Sequence, residues 1–167
     1  INAIKYIEKK IPNIKFIFCG TGEKEYIASL ENLIKDLNLE KKVLYMGYVP
    51  QNDILNYVAL SNIALSPYKL HPNLNPVGST KIFEYLLVPK PVIVADYSAN
   101  REEFKDLVLF YRCSDYKSLG EKIFEVYENE EEFNKMAERA QEVLFKRYNP
   151  ERNEEKLVGI YKNLLIK

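Results

Sequence analysis

The residues best suited to chemistry in this 167-residue chain lie between Asn75 and Asp96, in the run NPVGSTKIFEYLLVPKPVIVAD. Gly78, Ser79, Thr80 and Lys81 form a small, polar lead-in to an apolar helix pattern. The first amides of a helix have no intrahelical partner, and the helix dipole favours negative charge at that end. Lys81 adds a mobile positive charge. Glu84 shares a helical face with Lys81, three residues on, while Ile82, Phe83, Leu86 and Leu87 take the core-facing positions. A carboxylate offers two acceptor oxygens to a vicinal diol. An anion site beside a diol acceptor is the chemistry of nucleotide binding. A plainer reading is also open: Ser79 or Thr80 as a helix N-cap, and Glu84 as a solvated helix residue.

Other candidates are scattered along the chain. Gly20-Thr21-Gly22 follows an apolar run and precedes a helical one. It is a tight turn lining a cleft or a phosphate contact, and it lacks the third glycine of the dinucleotide fingerprint. Gly47-Tyr48-Val49 follows the run VLYM, where a glycine lets a ligand approach the backbone. His71, the single histidine, lies in a proline-rich segment and is either an exposed loop residue or a substrate contact. Tyr68 is either a stacking surface for a base or a packed core residue.

These residues need elements to hold them. Short apolar runs alternate with longer helical periods, which predicts an α/β fold with a parallel sheet. Strands are expected at 15–19, 43–46, 63–66, 91–95 and 108–111. Helices are expected at 1–9, 23–37, 52–59, 79–87, 116–127, 130–147 and 150–165. The near-continuous apolarity of FIF, VLYM and VIVA predicts strands buried on both faces. Asn149-Pro150 separates the last two helices. The turn 20–22 and the loops 47–49, 67–78 and 96–101 all follow strands. They are therefore expected at the carboxyl edge, where parallel sheets place their ligands.

Length and composition agree with one globular domain. Lys plus Arg and Asp plus Glu both number 24, so no net charge points to nucleic acid. Cys19 and Cys113 are expected as reduced, buried thiols. No apolar run approaches the ~18 residues of a membrane span. The run ENEEE at 128–132 reads as a solvated helix start. The chain opens at Ile1 inside an amphipathic pattern (Ile1, Ile4, Ile7, Ile11), which suggests a fragment.

The run K-x-x-E-Y-L followed by K-P-V-I-V-A resembles the donor-site motif of the retaining family-4 glycosyltransferases, the glycosyl transferases group 1. Further resemblance lies in KFIFCGTGE, VLYMGYVPQNDILNYVALSNIALSPY, ADYSANREEF and YNPERNEEKLVGIYKNLL, in the family's order and spacing. The implied architecture is a Rossmann-like three-layer domain, the C-terminal half of a GT-B fold, spanning 1–167. The N-terminal acceptor domain and the first strand of this domain would be missing. The implied activity is transfer of a hexosyl unit from a nucleoside-diphosphate sugar to an acceptor hydroxyl with retention. The implied donor site comprises Gly78, Ser79, Thr80, Lys81, Glu84, Gly47, Tyr48, Val49, Gly20 and Gly22. The amides of Ser79, Thr80 and Lys81 would meet pyrophosphate, Glu84 the ribose hydroxyls, and the Gly47–Val49 backbone the base. No catalytic residue is assigned, and no metal or other cofactor is expected.

One departure stands out. Many members carry a second glutamate eight positions before the first, and this chain has Pro76 there. A subgroup with K-x-x-E-Y shares that absence, so the departure bears on donor-sugar contacts. The acceptor, a glycan or lipid-linked molecule, would be met through the missing domain. The expected location is cytoplasmic, with peripheral membrane contact open to the intact protein, and the isolated chain is expected to lack turnover. The rival readings are a GT-B sugar-nucleotide epimerase and a non-catalytic nucleotide-binding or assembly module. A receiver-like α/β domain ranks last, because its acidic pocket is not apparent.

Overall fold

A computed structural model of the chain describes residues 1–69, 80–148, 154 and 158–162. The elements run α1 (Asn2–Ile7), β1 (Phe16–Phe18), α2 (Lys24–Asp36), β2 (Val43–Tyr45), α3 (Gln51–Leu60), β3 (Ala64–Ser66), α4 (Thr80–Leu86), β4 (Val92–Asp96), α5 (Ser98–Phe104), β5 (Leu109–Arg112), α6 (Tyr116–Glu128) and α7 (Glu130–Arg147). The parallel α/β reading holds. Hydrogen bonding divides the described strands into a pair, β1-β2, and a trio, β3-β4-β5, every neighbour parallel.

Strand β4 is the spine of the trio. Its side chains alternate, as a strand's must. Val92 and Val94 join Val58 of α3, Ile82 and Leu86 of α4, Phe104 of α5, and Ala140 and Leu144 of α7. Ile93 and Ala95 turn the other way, to Ile7 of α1 and to Ile123 and Val126 of α6. These are the three layers. The pair β1-β2 packs one face on Ile4 of α1 and Ile34 of α2 through Phe16, Phe18 and Val43.

Helix α1 spans both groups of strands, since Ile4 packs with the pair and Ile7 with the trio. It lies close on α6, where a Cβ on Gly120 would come within 2.8 Å of Tyr6, 2.9 Å of Ile7 and 3.3 Å of the Ala3 carbonyl oxygen. Ile11 is buried beyond the end of α1, which stops at Ile7 rather than Lys9.

Several expectations need correction. Residues 96–101 are not a loop, because α5 begins at Ser98. Of its seven residues only Phe104 is a large apolar side chain, so it carries no helical apolar period. β1 and β2 are not buried on both faces: Ile17 and Leu44, paired in register, are 43% and 42% exposed. Cys19 and Cys113 are free but half-buried rather than buried. Leu87 is exposed, lying past the end of α4, where its carbonyl accepts from Gln141. Residues 128–132 are exposed, as expected. Of the closing helix only 154 and 158–162 are described, and these are helical.

Candidate functional site

Two connections and the start of a helix meet at the carboxyl edge of the strands. The first follows β1. Gly20 holds φ +143° and donates its amide to the Gly47 carbonyl at 2.7 Å. The Tyr45 hydroxyl donates to the Gly20 carbonyl at 2.8 Å, and its ring stacks on Phe18 at 4.7 Å. The second follows β2, where Gly47 holds φ +65°. Thus Gly20 and Gly47 are directly bonded, and both conformations are ones side chains disfavour. Gly22 precedes α2 and is exposed, as is Tyr48, while Val49 is half-buried.

The helix is α4. Thr80 and Lys81 open the helix and are exposed, and Glu84 is half-buried on its first turns. Ile82 and Leu86 are buried beneath, as the helical period requires, and Phe83 is half-buried against Phe104. Among the described residues no carboxylate pairs with Lys81. Gln51, the first residue of α3, donates from Nε2 to Glu84 Oε1 at 3.2 Å. Burial pushes the Tyr85 phenol up, and Glu84, Cys19 and Tyr68 act on it in the same direction. Tyr85 therefore stands within electrostatic reach of groups just beyond β1 and β3.

The backbone beyond β3 is clamped from β5. Tyr68 donates its amide to the Tyr111 hydroxyl at 3.2 Å, and the Cys113 thiol donates to the Tyr68 carbonyl at 3.3 Å. Burial raises the Tyr111 phenol to about 12. Tyr68 is partly exposed and meets Tyr97 edge-on at 6.2 Å, so it is neither a core residue nor a free ring. Beyond β4, Arg101 is bound to both oxygens of Asp96 at 2.5 and 2.6 Å and lies over Phe110. Its charge is used within the fold.

The structure thus brings Gly20, Gly47, Tyr48, Val49, Thr80, Lys81 and Glu84 to one edge. Gly78, Ser79, His71 and Pro76 lie outside the described residues. Gln51, Tyr45 and Tyr85 were missed as site residues. Tyr85 had a signal, its place in K-x-x-E-Y, whereas Gln51 had none, because its partner lies 33 residues away. At the opposite, amino edge, Glu128–Glu132 and Lys135 border a shallow hollow, and Asn62 donates to Glu130 there. The carboxylates of that turn oppose a phosphate, and Lys135 is paired with Glu131 at 2.6 Å. Among the described residues, no three His, Cys, Asp or Glu side chains gather to hold a metal, and no helix is long and apolar enough to cross a membrane.

The family model for glycosyl transferases group 1 matches residues 1–143. The chain belongs to that family. TuaH of Bacillus subtilis, assigned to teichuronic acid biosynthesis as a glycosyltransferase, is 26% identical over 113 residues, 68% of this chain and 28% of TuaH. HepE of Anabaena, solved in complex with UDP and glucose, superposes with a TM-score of 0.82 at 21% identity over 96% of this chain and 44% of HepE. The C-terminal domain of a glycosyl transferase group 1 family protein, LpcC of Francisella tularensis, superposes at 0.73 with 14% identity, covering 87% of this chain and 75% of that one. The fold is therefore that of the C-terminal, Rossmann-like half of a GT-B glycosyltransferase. The chain spans less than half the length of HepE and TuaH.

Proposed function

We propose that this chain is the donor-binding domain of a retaining glycosyltransferase that takes a nucleoside-diphosphate hexose. The observation that carries the reading is the convergence of the Gly20 turn, the Gly47 loop and the start of α4, tied by the Gly20–Gly47 and Gln51–Glu84 hydrogen bonds. Family membership supports it. So do relatives of the same fold solved with UDP and with UDP-glucose.

In this scheme the amides of Ser79, Thr80 and Lys81 and the Lys81 ammonium oppose charge on the departing β-phosphate. Fixed donors aimed at developing charge usually contribute more to catalysis than any other single effect. Glu84 accepts from the ribose hydroxyls, and the Gly47–Val49 backbone, including Tyr48, meets the base. Gly20 and Gly22 line the phosphate side, and Gly78 belongs to the same donor site. The scheme uses no metal. A further domain supplies the acceptor, a glycan or lipid-linked hydroxyl, so the chain alone binds donor without turning it over.

The test is calorimetric titration with UDP, GDP and ADP, repeated on Glu84→Ala. The expected result is binding of one nucleotide, weakened about tenfold or more by the substitution, as loss of a hydrogen bond to a charged group implies. Binding that Glu84→Ala leaves unchanged would remove Glu84 from the site. No binding of any of the three would overturn the reading.

A further inference from the structure

We propose that Gln51 is a positioning residue for Glu84, and that the pair sets discrimination between ribose and 2′-deoxyribose in the bound nucleotide. This rests on the donor-site reading above. The two side chains come from different helices, and the bond from Gln51 Nε2 to Glu84 Oε1 is 3.2 Å long. It joins the first residue of α3 to the first turns of α4.

Glu84 has reason to need a holder. Lys81 lies one turn earlier on the same face, and among the described residues no carboxylate pairs with it. A glutamate at i+3 from a lysine is drawn toward it. A Glu84 turned to Lys81 would cancel the charge meant for phosphate and withdraw the acceptor meant for the diol. Gln51 opposes that motion with a neutral donor, which holds the carboxylate without neutralising it. An ionised carboxylate has about four acceptor positions, so one bond at Oε1 leaves enough for two vicinal hydroxyls.

The holder is itself fixed. Gln51 opens α3 directly after Pro50, whose ring restricts φ and which here holds −55°. Four residues earlier stands Gly47, bonded to Gly20. The connection that would meet the base therefore also carries the side chain that aims Glu84 at the sugar. Base and ribose contacts are kept in register by one short span, 47–51.

The experiment compares the affinity of the protein for the nucleotide it binds and for the 2′-deoxy form of that nucleotide. It is done on the parent, Gln51→Ala, Gln51→Glu and Glu84→Ala. The parent prefers the ribonucleotide, and Glu84→Ala erases the preference. Gln51→Ala lowers the preference by about three- to tenfold, the freedom regained by one immobilised side chain, and weakens the deoxynucleotide by less, through the charge Glu84 takes from Lys81, with the melting temperature unchanged. Gln51→Glu, which sets two carboxylates together, lowers it at least as far. If Glu84→Ala leaves the preference intact, the ribose role of Glu84 fails, and this inference fails with it. If Glu84→Ala erases the preference and Gln51→Ala does not alter it, only the role of Gln51 is overturned.

Discussion

The two groups of strands are built to different standards. In the trio, β4 is covered by α3, α4, α5 and α7 on one face and by α1 and α6 on the other, and Val92, Ile93, Val94 and Ala95 are at most 1% exposed. In the pair, one face rests on α1 and α2 while Ile17 and Leu44 stand open on the other. Yet the candidate site draws on both. Gly20 and the Gly47–Val49 loop come from the pair, and α4 from the trio. One wall of the site is thus anchored in a dense core, and the other is held by α1, by backbone bonds between loops and by Gln51. Precision at this site depends on the connections between the halves as much as on either core.

The sharpest way to expose that contrast is to cut a side chain from the trio. Phe104 is fully buried and touches Phe83 edge-on at 4.8 Å. Phe104→Ala is expected to cost about 3–5 kcal/mol of stability in denaturant titration, as other large-to-small core changes do. A somewhat smaller effect is expected at the junction. Gly120→Val would push on Tyr6, Ile7 and the Ala3 carbonyl and lever α1 from α6. Overpacking of this kind costs about 1–3 kcal/mol. Because α1 also packs on the pair, nucleotide affinity is expected to fall along with the melting temperature.

Tyr111 gives a prediction in pH. Its phenol titrates near 12 in the fold, raised by burial, against about 10 in an unfolded chain. The unfolded chain therefore loses this proton first, and stability is full below pH ~10 and falls as pH rises toward 12. Tyr111→Phe lessens that alkaline slope in melts across pH 9–12, the rest coming from Tyr85, Tyr97 and Tyr148, whose phenols burial also raises, while losing the bonds to Tyr68 at every pH. An unaltered slope would mean that another group carries it. The smallest effect belongs to the open face of the pair. Leu44→Thr is expected to fall within about 0.5 kcal/mol, as exposed substitutions do. A core-sized loss there would mean that the face is covered in solution.

These contrasts also mark what could be read in the chain. α7 falls at Glu130–Arg147, as its period and flanks predict, and each strand lies within a residue or two of its apolar run. Long amphipathic periods and β-branched runs are local signals. α5 was missed because a seven-residue helix with one large apolar side chain has no period to detect. The open face of β1-β2 was missed because apolar residues look alike whether or not a neighbour covers them. At the candidate site, the placing of Lys81 and Glu84 on one helix was legible from the local pattern. Gln51 was not, since a contact between two helices leaves no trace in either one's pattern.

The bonded glycines of the site carry unequal burdens. A Cβ at Gly20 or at Gly47 would meet nothing within 4 Å, so neither is required for room. The demand is conformational. At +65° Gly47 has a φ close to the +55° that Asn38 takes, whereas φ +143° at Gly20 belongs to a region that only glycine enters readily. Drift over evolutionary time can therefore exchange the residue at 47 and leave the turn intact. The same drift at 20 would have to rebuild it.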